Sequence, residues 1–197
     1  MKILITGSSG FIGFHLSKLL LEKGNTIHGI DSMNNYYDVN LKKARLKILL
    51  KHKKFSFSKI DLENNKKIKN IFKKFKPDFV IHLAAQAGVR YSIDKPRVYL
   101  KSNIDGSFNI IEYSYKFGVK HLIMASSSSV YGANKKIPFK EIDKTESQLS
   151  IYASTKKTNE SMAHSYSNIW KIPIKYSNHW VRLIIRTNKH FICKNFI

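Results

Sequence analysis

Short apolar runs alternate with longer amphipathic stretches along most of the chain. The apolar runs predict β-strands at 3–5, 27–30, 78–84, 120–125 and 172–176, and an alternating pattern predicts a strand at 55–60. The intervening stretches, with apolar residues at helical spacing, predict helices beginning at residue 11 and covering 39–51, 64–75, 94–117 and 151–168. Strands and helices that alternate at this spacing predict an α/β fold with a doubly wound parallel sheet.

The first strand leads into a glycine-rich turn, TGSSGFIG, which opens the first helix. Gly7 allows a tight turn, Gly10 lets the backbone approach a pyrophosphate, and Gly13 lets the helix pack on the strand. The N–H groups at the helix start, from Phe11 and Ile12 onward, would face a pair of phosphates. A glycine triplet alone also fits a turn that only packs a helix on a strand.

Asp31 ends the second predicted strand, 18 residues after Gly13. A carboxylate there can accept hydrogen bonds from an adenosine ribose and would repel a 2′-phosphate, which favours NAD over NADP. This order of elements, with a strand, a glycine turn, a helix and a second strand that ends in an acid, predicts a dinucleotide-binding domain of the Rossmann type. Asp61 and Leu62 follow the third strand, where an adenine ring could rest against them, although an ordinary strand-to-helix turn fits equally well.

The length of 197 residues allows one sizeable core and is short for two full domains. The single cysteine, Cys193, excludes an internal disulfide and fits a reducing compartment. The sequence contains no run of about 18 apolar residues and no signal-peptide pattern. We therefore expect a cytoplasmic protein without a membrane span, and no motif predicts a metal site.

The formal net charge of +22 invites a nucleic-acid interpretation. The lysines, however, are scattered over several predicted helix faces, as in the set Lys42, Lys43, Lys47 and Lys51, and no nucleic-acid-binding motif accompanies them. We therefore favour solvated lysine faces and expect no nucleic-acid partner. A polyanion partner is the alternative.

Tyr152 and Lys156 lie four residues apart in a predicted helix, so their side chains share one face. A tyrosine that acts as a base near neutrality needs its pKa lowered by about 3 units, and a nearby ammonium group contributes to that. Serines 126–129 follow an apolar strand at the sheet edge where such folds bind ligands. A Tyr-x-x-x-Lys pair alone often arises by chance. The prediction therefore rests on the pair together with the serines and the dinucleotide-binding motif.

Four stretches resemble the extended short-chain dehydrogenase/reductase proteins that modify nucleotide sugars, and look most like UDP-glucuronate 4-epimerases. They are TGSSGFIG, HLAAQAGVRYS (82–92), ASSSSVYGANKK (125–136) and YASTKKTNE (152–160). The resemblance covers residues 1 to about 175.

The resemblance implies roles for individual residues. The catalytic hydroxyl, the base and its partner would be Ser127, Tyr152 and Lys156. The implied contacts of the cofactor NAD are Gly7, Gly10, Phe11, Ile12, Gly13, Asp31, Asp61, Leu62, Leu83, Ala84, Ala85, Asn103, Tyr152 and Lys156. The implied contacts of a UDP-sugar substrate are Gln86, Arg90, Ser127, Ser128 and Ser129.

The reaction implied by the resemblance is NAD-dependent 4-epimerisation of a UDP-sugar through a transient 4-keto sugar, in polysaccharide biosynthesis. Related dehydratases carry Asp and Glu directly after the catalytic hydroxyl residue, where this chain has Ser128 and Ser129. The serines remove charges that would repel a C6 carboxylate, which favours UDP-glucuronate. Epimerases of UDP-glucose or UDP-N-acetylglucosamine are the alternatives.

The resemblance ends near Tyr176, which divides the chain into an NAD-binding domain, 1–176, and a divergent tail, 177–197. Family members would continue with a Val-Tyr-Gly-Pro loop and a smaller lobe that holds the uridine diphosphate. We expect a truncated or frameshifted product that binds NAD weakly and turns over little or no substrate. The alternative is a non-catalytic NAD-binding module that forms a homodimer through helices 94–117 and 151–168.

Overall fold

A computed structural model describes residues 1–135, 137–140 and 142–177, and the structural statements below refer to these. Six parallel strands form one sheet in the order β3-β2-β1-β4-β5-β6. They are β1 (Lys2–Thr6), β2 (Thr26–Asp31), β3 (Phe55–Lys59), β4 (Phe79–His82), β5 (His121–Ala125) and β6 (Ile174–Ser177). The predicted divergent tail lies, apart from its first residue, outside the described residues, and the frameshift hypothesis stays a prediction.

Helices connect the strands as the sequence predicts. They are α1 (Phe11–Glu22), α2 (Val39–Leu49), α3 (Asn65–Phe75), α4 (Tyr91–Asp94), α5 (Pro96–Tyr99), α6 (Gly106–Lys116) and α7 (Ile151–Trp170). A π-helical segment, Leu100–Asp105, joins α5 to α6, and a 3₁₀ turn covers Ser128–Tyr131. This arrangement confirms the doubly wound parallel sheet of the Rossmann type.

The strand order creates a crevice at one place in the sheet. From β1 the chain moves outward through β2 and β3, and then returns to β4 on the other side of β1. Since β1 pairs with both β2 and β4, the connections that leave β1 and β4 diverge at the carboxyl edge of the sheet. Ligands of such sheets bind in the crevice that this divergence leaves.

Apolar side chains on alternating strand positions bury both faces of the sheet. Ile3 and Ile5 point to the cluster that packs under α1, whereas Leu4 belongs to the cluster on the opposite face. Helix α3 has one buried face and one exposed face, and Ile68 and Phe72 on the buried face are fully buried. Its lysines at 66, 67, 69, 73 and 74 are exposed, which agrees with the predicted solvated face.

The helix predicted over 94–117 is present as one continuous helical run from Pro96 to Lys116, which begins two residues later than predicted and includes the π-helical segment. Lys95 has φ −130° and ψ 56°, outside the helical region, because Pro96 disfavours a helical conformation of the residue before it. A new helix begins at Pro96, and the π-helical turn that follows leaves Asn103 with no exposed surface. Within the described part of the chain, no helix has both the length and the apolar character needed to cross a membrane.

Candidate cofactor and active site

A cavity of about 420 Å³ lies at the carboxyl edge of the sheet, where β1 to β4 end. Its walls come from the turn after β1, the ends of β2 and β3, the segment after β4, and the loop after β2. The predicted cofactor residues in its lining are Gly7, Gly10, Asp31, Asp61, Leu62, Leu83, Ala84 and Ala85, and the predicted substrate residue in its lining is Gln86. The structure therefore brings these residues, from four separate stretches of sequence, to one site.

The glycine turn has the geometry that a phosphate site requires. Gly7 has a φ of 72°, and a Cβ there would lie 3.0 Å from the backbone nitrogen of Ala84. A Cβ on Gly13 would overlap the carbonyl oxygen of Gly7, so the start of α1 packs directly on the turn. No side chain caps α1 at Gly10, and its first turn holds no acidic residue. The first N–H groups of a helix have no partner within the helix, so this end fits a pyrophosphate.

Asp31 is buried at the end of β2 and lines the cavity. Its two carboxylate oxygens accept hydrogen bonds from the backbone N–H groups of Ser9, at 3.1 Å, and Met33, at 2.9 Å. These bonds hold the carboxylate between the glycine turn and the loop that follows β2. Each oxygen keeps a second lone pair, so the group can accept hydrogen bonds from a ribose.

Tyr36, Tyr37 and Lys42 are among the cavity residues that the sequence analysis did not predict. The prediction that Lys42 belongs to a solvated face is wrong, because only 4% of its surface is exposed. Its Nζ donates to the carbonyl oxygen of Asn34 at 2.9 Å and to Asn34 Oδ1 at 2.8 Å, and lies 4.4 Å from the Tyr37 ring centroid. Burial lowers the pKa of Lys42, and the charge of Asp31 opposes that shift. Tyr36 and Tyr37 follow a strand that ends in an acid, but no local pattern separates Lys42 from the exposed lysines beside it.

Lys156 is buried on α7, and its Nζ donates to the carbonyl oxygen of Ala125 at 3.0 Å. Burial lowers the pKa of Lys156 to about 8, and the nearby carboxylate of Glu160 opposes this shift. Tyr152 lies one turn earlier on the same helix, with its ring edge-on to Tyr99 at a centroid distance of 6.1 Å. Neither Tyr152 nor Lys156 is in the lining of the cavity, and their catalytic roles stay predictions.

The serine loop is tied to the same helix. Ser126 donates a hydrogen bond through Oγ to the carboxylate of Glu160, four residues after Lys156. The Oγ of Ser127 accepts a hydrogen bond from the backbone N–H of Ser129 at 3.2 Å and so caps the 3₁₀ turn, while Ser128 is exposed. The loop therefore lies beside the Lys156 segment, and the predicted roles of these serines stay predictions.

The remaining predicted residues are not in the lining of this cavity. Arg90 is exposed just before α4, and the side chain of Phe11 is 63% exposed at the start of α1. Asn103 holds the backbone of Gln86, because its Oδ1 accepts from Gln86 N at 2.7 Å and its Nδ2 donates to Gln86 O at 3.1 Å. Nδ2 also lies 3.1 Å from the hydroxyl oxygen of Thr155, so Asn103 links the cavity wall to α7.

His82 forms a buried network behind this wall. The hydroxyl oxygen of Thr6 accepts hydrogen bonds from the N–H groups of Leu83 and Ala84, both at 3.1 Å, so its proton is directed to His82 Nδ1 at 2.7 Å. Nε2 then carries the ring proton and donates to Ser107 Oγ at 2.9 Å. Burial, assisted by the charge of Lys156, lowers the pKa of His82 to about 3. The imidazole is therefore neutral, and its hydrogen bonds help to hold the segment that connects β4 to the cavity.

Comparison with known proteins identifies relatives along most of the chain. The family model described as GDP-mannose 4,6 dehydratase matches residues 4–197. Protein CapI of Staphylococcus aureus is 53% identical over 173 residues, which are 88% of this chain and 52% of CapI. A probable UDP-glucuronate 4-epimerase of Rhizobium meliloti (strain 1021) is 46% identical over 173 residues, which are 88% of this chain and 51% of that protein. The chain thus spans about half the length of these curated relatives.

Solved structures that align with this chain also include UDP-sugar 4-epimerases. The UDP-glucuronic acid 4-epimerase of Bacillus cereus, in complex with UDP-glucuronic acid and NAD, aligns with a TM-score of 0.83 and 32% identity, over 90% of this chain and 56% of that chain. The UDP-glucose 4-epimerase of Thermus thermophilus, in complex with NAD, aligns with a TM-score of 0.78 and 27% identity, over 90% of this chain and 54% of that chain. The chain belongs to the extended short-chain dehydrogenase/reductase family of nucleotide-sugar epimerases and dehydratases.

Proposed function

We propose that this chain provides the NAD-binding and catalytic part of a UDP-sugar 4-epimerase that converts UDP-glucuronate to UDP-galacturonate. The observation that carries the proposal is the convergence of Gly7, Gly10 and Asp31 on one cavity at the point where the strand order reverses. The proposal is supported by the relatives named as UDP-glucuronate 4-epimerases and by the neighbour bound to UDP-glucuronic acid and NAD.

The residues of the chain fit NAD and divide its binding among them. The first N–H groups of α1 would hold the pyrophosphate, Asp31 would accept hydrogen bonds from the adenosine ribose, and Leu62 would contact the adenine ring. NAD, when bound, supplies the hydride acceptor and donor. Tyr152 removes the proton of the sugar 4-hydroxyl, and Lys156 lies one turn later on the same helix. Ser127 donates a hydrogen bond to the same sugar oxygen.

The preference for an acidic sugar rests on Ser128 and Ser129. Hydroxyl groups at these positions can donate hydrogen bonds to a C6 carboxylate, whereas the acids of a dehydratase would repel it. We therefore favour UDP-glucuronate over the neutral substrates UDP-glucose and UDP-N-acetylglucosamine. Gln86 and Arg90 are further candidate contacts for the substrate.

Assembly and location are also part of the proposal. The helices α6 and α7, with the segment before them, expose large apolar side chains such as Leu100, Phe108 and Ile169. We expect this face to pair with a second copy of the chain, which analytical ultracentrifugation would detect. A cytoplasmic location stays an expectation from the single cysteine and the reducing compartment that it fits.

The test of the activity uses a chimera, since the chain aligns with about half of each relative. Residues 1–177 replace the aligned part of the Bacillus cereus enzyme, and the products formed from UDP-glucuronate are separated by chromatography. We expect UDP-galacturonate to form, and we expect Tyr152→Phe in the same chimera to lower turnover at least about 100-fold while NAD still binds.

The chimera also separates the alternatives. Conversion of UDP-glucose without conversion of UDP-glucuronate would favour the neutral-sugar epimerase. A folded chimera that binds NAD and converts neither sugar would contradict the catalytic proposal and favour a non-catalytic NAD-binding module.

A further inference from the structure

We infer that Tyr36 holds the loop after β2 closed over the cofactor cavity and thereby slows the exchange of bound dinucleotide. We call residues 32–38 the cover loop. The inference rests on the proposed function, because it needs NAD in the cavity, and it goes further by assigning the rate of exchange to one side chain.

Tyr36 contacts the segment that forms the opposite wall of the cavity. Its ring centroid lies 5.1 Å from that of Tyr91, and its hydroxyl lies so close to Gly88 that a Cβ there would overlap it. Gly88 itself has a φ of 97°, a value that favours glycine, and its lack of a side chain leaves room for the Tyr36 hydroxyl group. The absence of a side chain at residue 88 is therefore what lets the cover loop close.

Tyr99 holds the segment after β4 that Tyr36 contacts. Tyr99 is fully buried, and its hydroxyl group lies 2.7 Å from the carbonyl oxygen of Ala87 and 2.5 Å from that of Gly88. Tyr99 Oη lies 3.6 Å from the position of a Cβ on Gly88, so the two phenol groups of Tyr36 and Tyr99 flank the same residue. The cover loop therefore contacts a segment that Tyr99 holds in place.

The cover loop is anchored independently on its other side. Asp31 accepts from Met33 N, Lys42 donates to Asn34, and Asp38 caps α2 by accepting from the N–H of the second helical residue. These bonds fix the loop to the side of the cavity formed by β2 and α2. Tyr36 extends from this anchored loop to the segment after β4.

The cavity lies between the two sides that Tyr36 joins. Its lining includes Asn34, Tyr36 and Tyr37 from one side, and Gln86 and Ala87 from the other. A dinucleotide that spans Asp31 and Ala84 lies next to this junction, so its entry and departure are easier when the Tyr36 contacts are broken. Tyr36 is 42% exposed, which allows it to swing into solvent without disturbing the core.

Removal of a residue that covers the cavity and removal of a residue that only contacts NAD change the association and release rates in different ways. When a cover controls access, binding and release both need the open state, and a variant with more open state raises both rate constants by the same factor. The equilibrium constant then changes little. A residue that only contacts bound NAD raises the release rate when it is removed, and leaves the association rate unchanged.

The experiment measures both rates on the full chain by stopped-flow fluorescence with the etheno derivative of NAD. Excess NAD displaces the probe to give the release rate. Tyr36→Ala should raise association and release together, by about 3- to 10-fold, with the Kd changed less than about twofold. Tyr36→Phe keeps the ring against Tyr91 and should give a smaller rise in both, which keeps the test available if the alanine variant folds poorly.

The matched control is Tyr115→Ala. Tyr115 is 39% exposed and stacks on Trp170 at a centroid distance of 5.0 Å. It lies near the end of α6, which leads to the amino end of β5, at the sheet edge opposite the cavity. Its removal should leave both rates unchanged. Unchanged rates in Tyr36→Ala, or a rise in release alone, would overturn the inference, whereas absence of NAD binding by the unmodified chain would overturn the proposed function as well.

Discussion

The ammonium group of Lys156 donates a hydrogen bond across 3.0 Å to the carbonyl oxygen of Ala125, the last residue of β5. This bond joins α7 to the strand that leads into the serine loop. It also holds a cation where almost no solvent reaches, since Lys156 is 5% exposed. Burial therefore lowers the pKa of Lys156 from 10.5 to about 8, and Glu160 opposes the shift.

This pKa makes the stability of the ligand-free chain depend on pH in a defined window. Between pH 8 and 10.5 the unfolded chain keeps the proton on Lys156 while the folded chain has lost it, so the free energy of unfolding rises with pH. The contribution amounts to about 3 kcal/mol over the window. We expect urea unfolding at several pH values to show this rise for the unmodified chain relative to Lys156→Met. Parallel curves for the two chains would contradict the assignment.

His82 predicts a loss of stability in acid. Its pKa in the folded chain is about 3 against 6.5 when unfolded, so between these values the unfolded chain binds a proton that the folded chain does not. The free energy of unfolding should therefore fall, by several kcal/mol, as the pH drops through this range. His82→Gln should flatten the dependence, and the same change at exposed His15 is the control. An equally steep fall in His82→Gln would argue against a buried neutral imidazole.

Gly13→Ala tests the packing of α1 on the glycine turn. The new Cβ would overlap the carbonyl oxygen of Gly7, so turn and helix must separate. We expect a loss of about 3 kcal/mol in chemical denaturation together with weaker NAD binding. Gly118→Ala is the control for a glycine with no neighbour within 4 Å of its Cβ position, and its left-handed φ of 65° should cost only about 1 kcal/mol. Equal losses would mean that the turn is not closely packed.

Asn103→Ala tests the link between the cavity wall and α7. The change leaves the buried N–H and C=O groups of Gln86 without this partner, and we expect a loss of about 2–4 kcal/mol with weaker NAD binding. The comparison is Asn70→Ala on the exposed face of α3, which should change neither quantity. Thermal unfolding with and without NAD measures both effects. A variant with normal stability would show that Gln86 does not depend on Asn103.

The sequence was sufficient for the sheet and for one side of the site. Five of the six strands were visible as short apolar runs and Phe55–Lys59 as an alternating pattern, and the glycine turn with Asp31 predicted a dinucleotide-binding sheet. Asp61 could be placed near the crevice because it follows a parallel strand at the carboxyl edge of the sheet, whereas Ala84 was predicted from the family resemblance.

The rest depends on tertiary contacts that no local pattern encodes. The π-helical turn around Asn103 is fixed by its bonds to Gln86 and Thr155, which come from distant parts of the chain. Lys42 resembles the exposed lysines beside it, and only the path of the cover loop turns its ammonium group toward the cavity. The contact of Tyr36 with Tyr91 likewise joins the cover loop to the start of α4, which is far away in sequence.

The central claim is that the crevice binds NAD and that Asp31 excludes a 2′-phosphate. Isothermal titration calorimetry of the ligand-free chain with NAD, NADP and, for comparison, the Asp31→Asn variant tests it directly. We predict saturable binding of one NAD per chain, at least about tenfold tighter than that of NADP, with a smaller difference in the variant. Absence of saturable NAD binding, or tighter binding of NADP, would contradict the account.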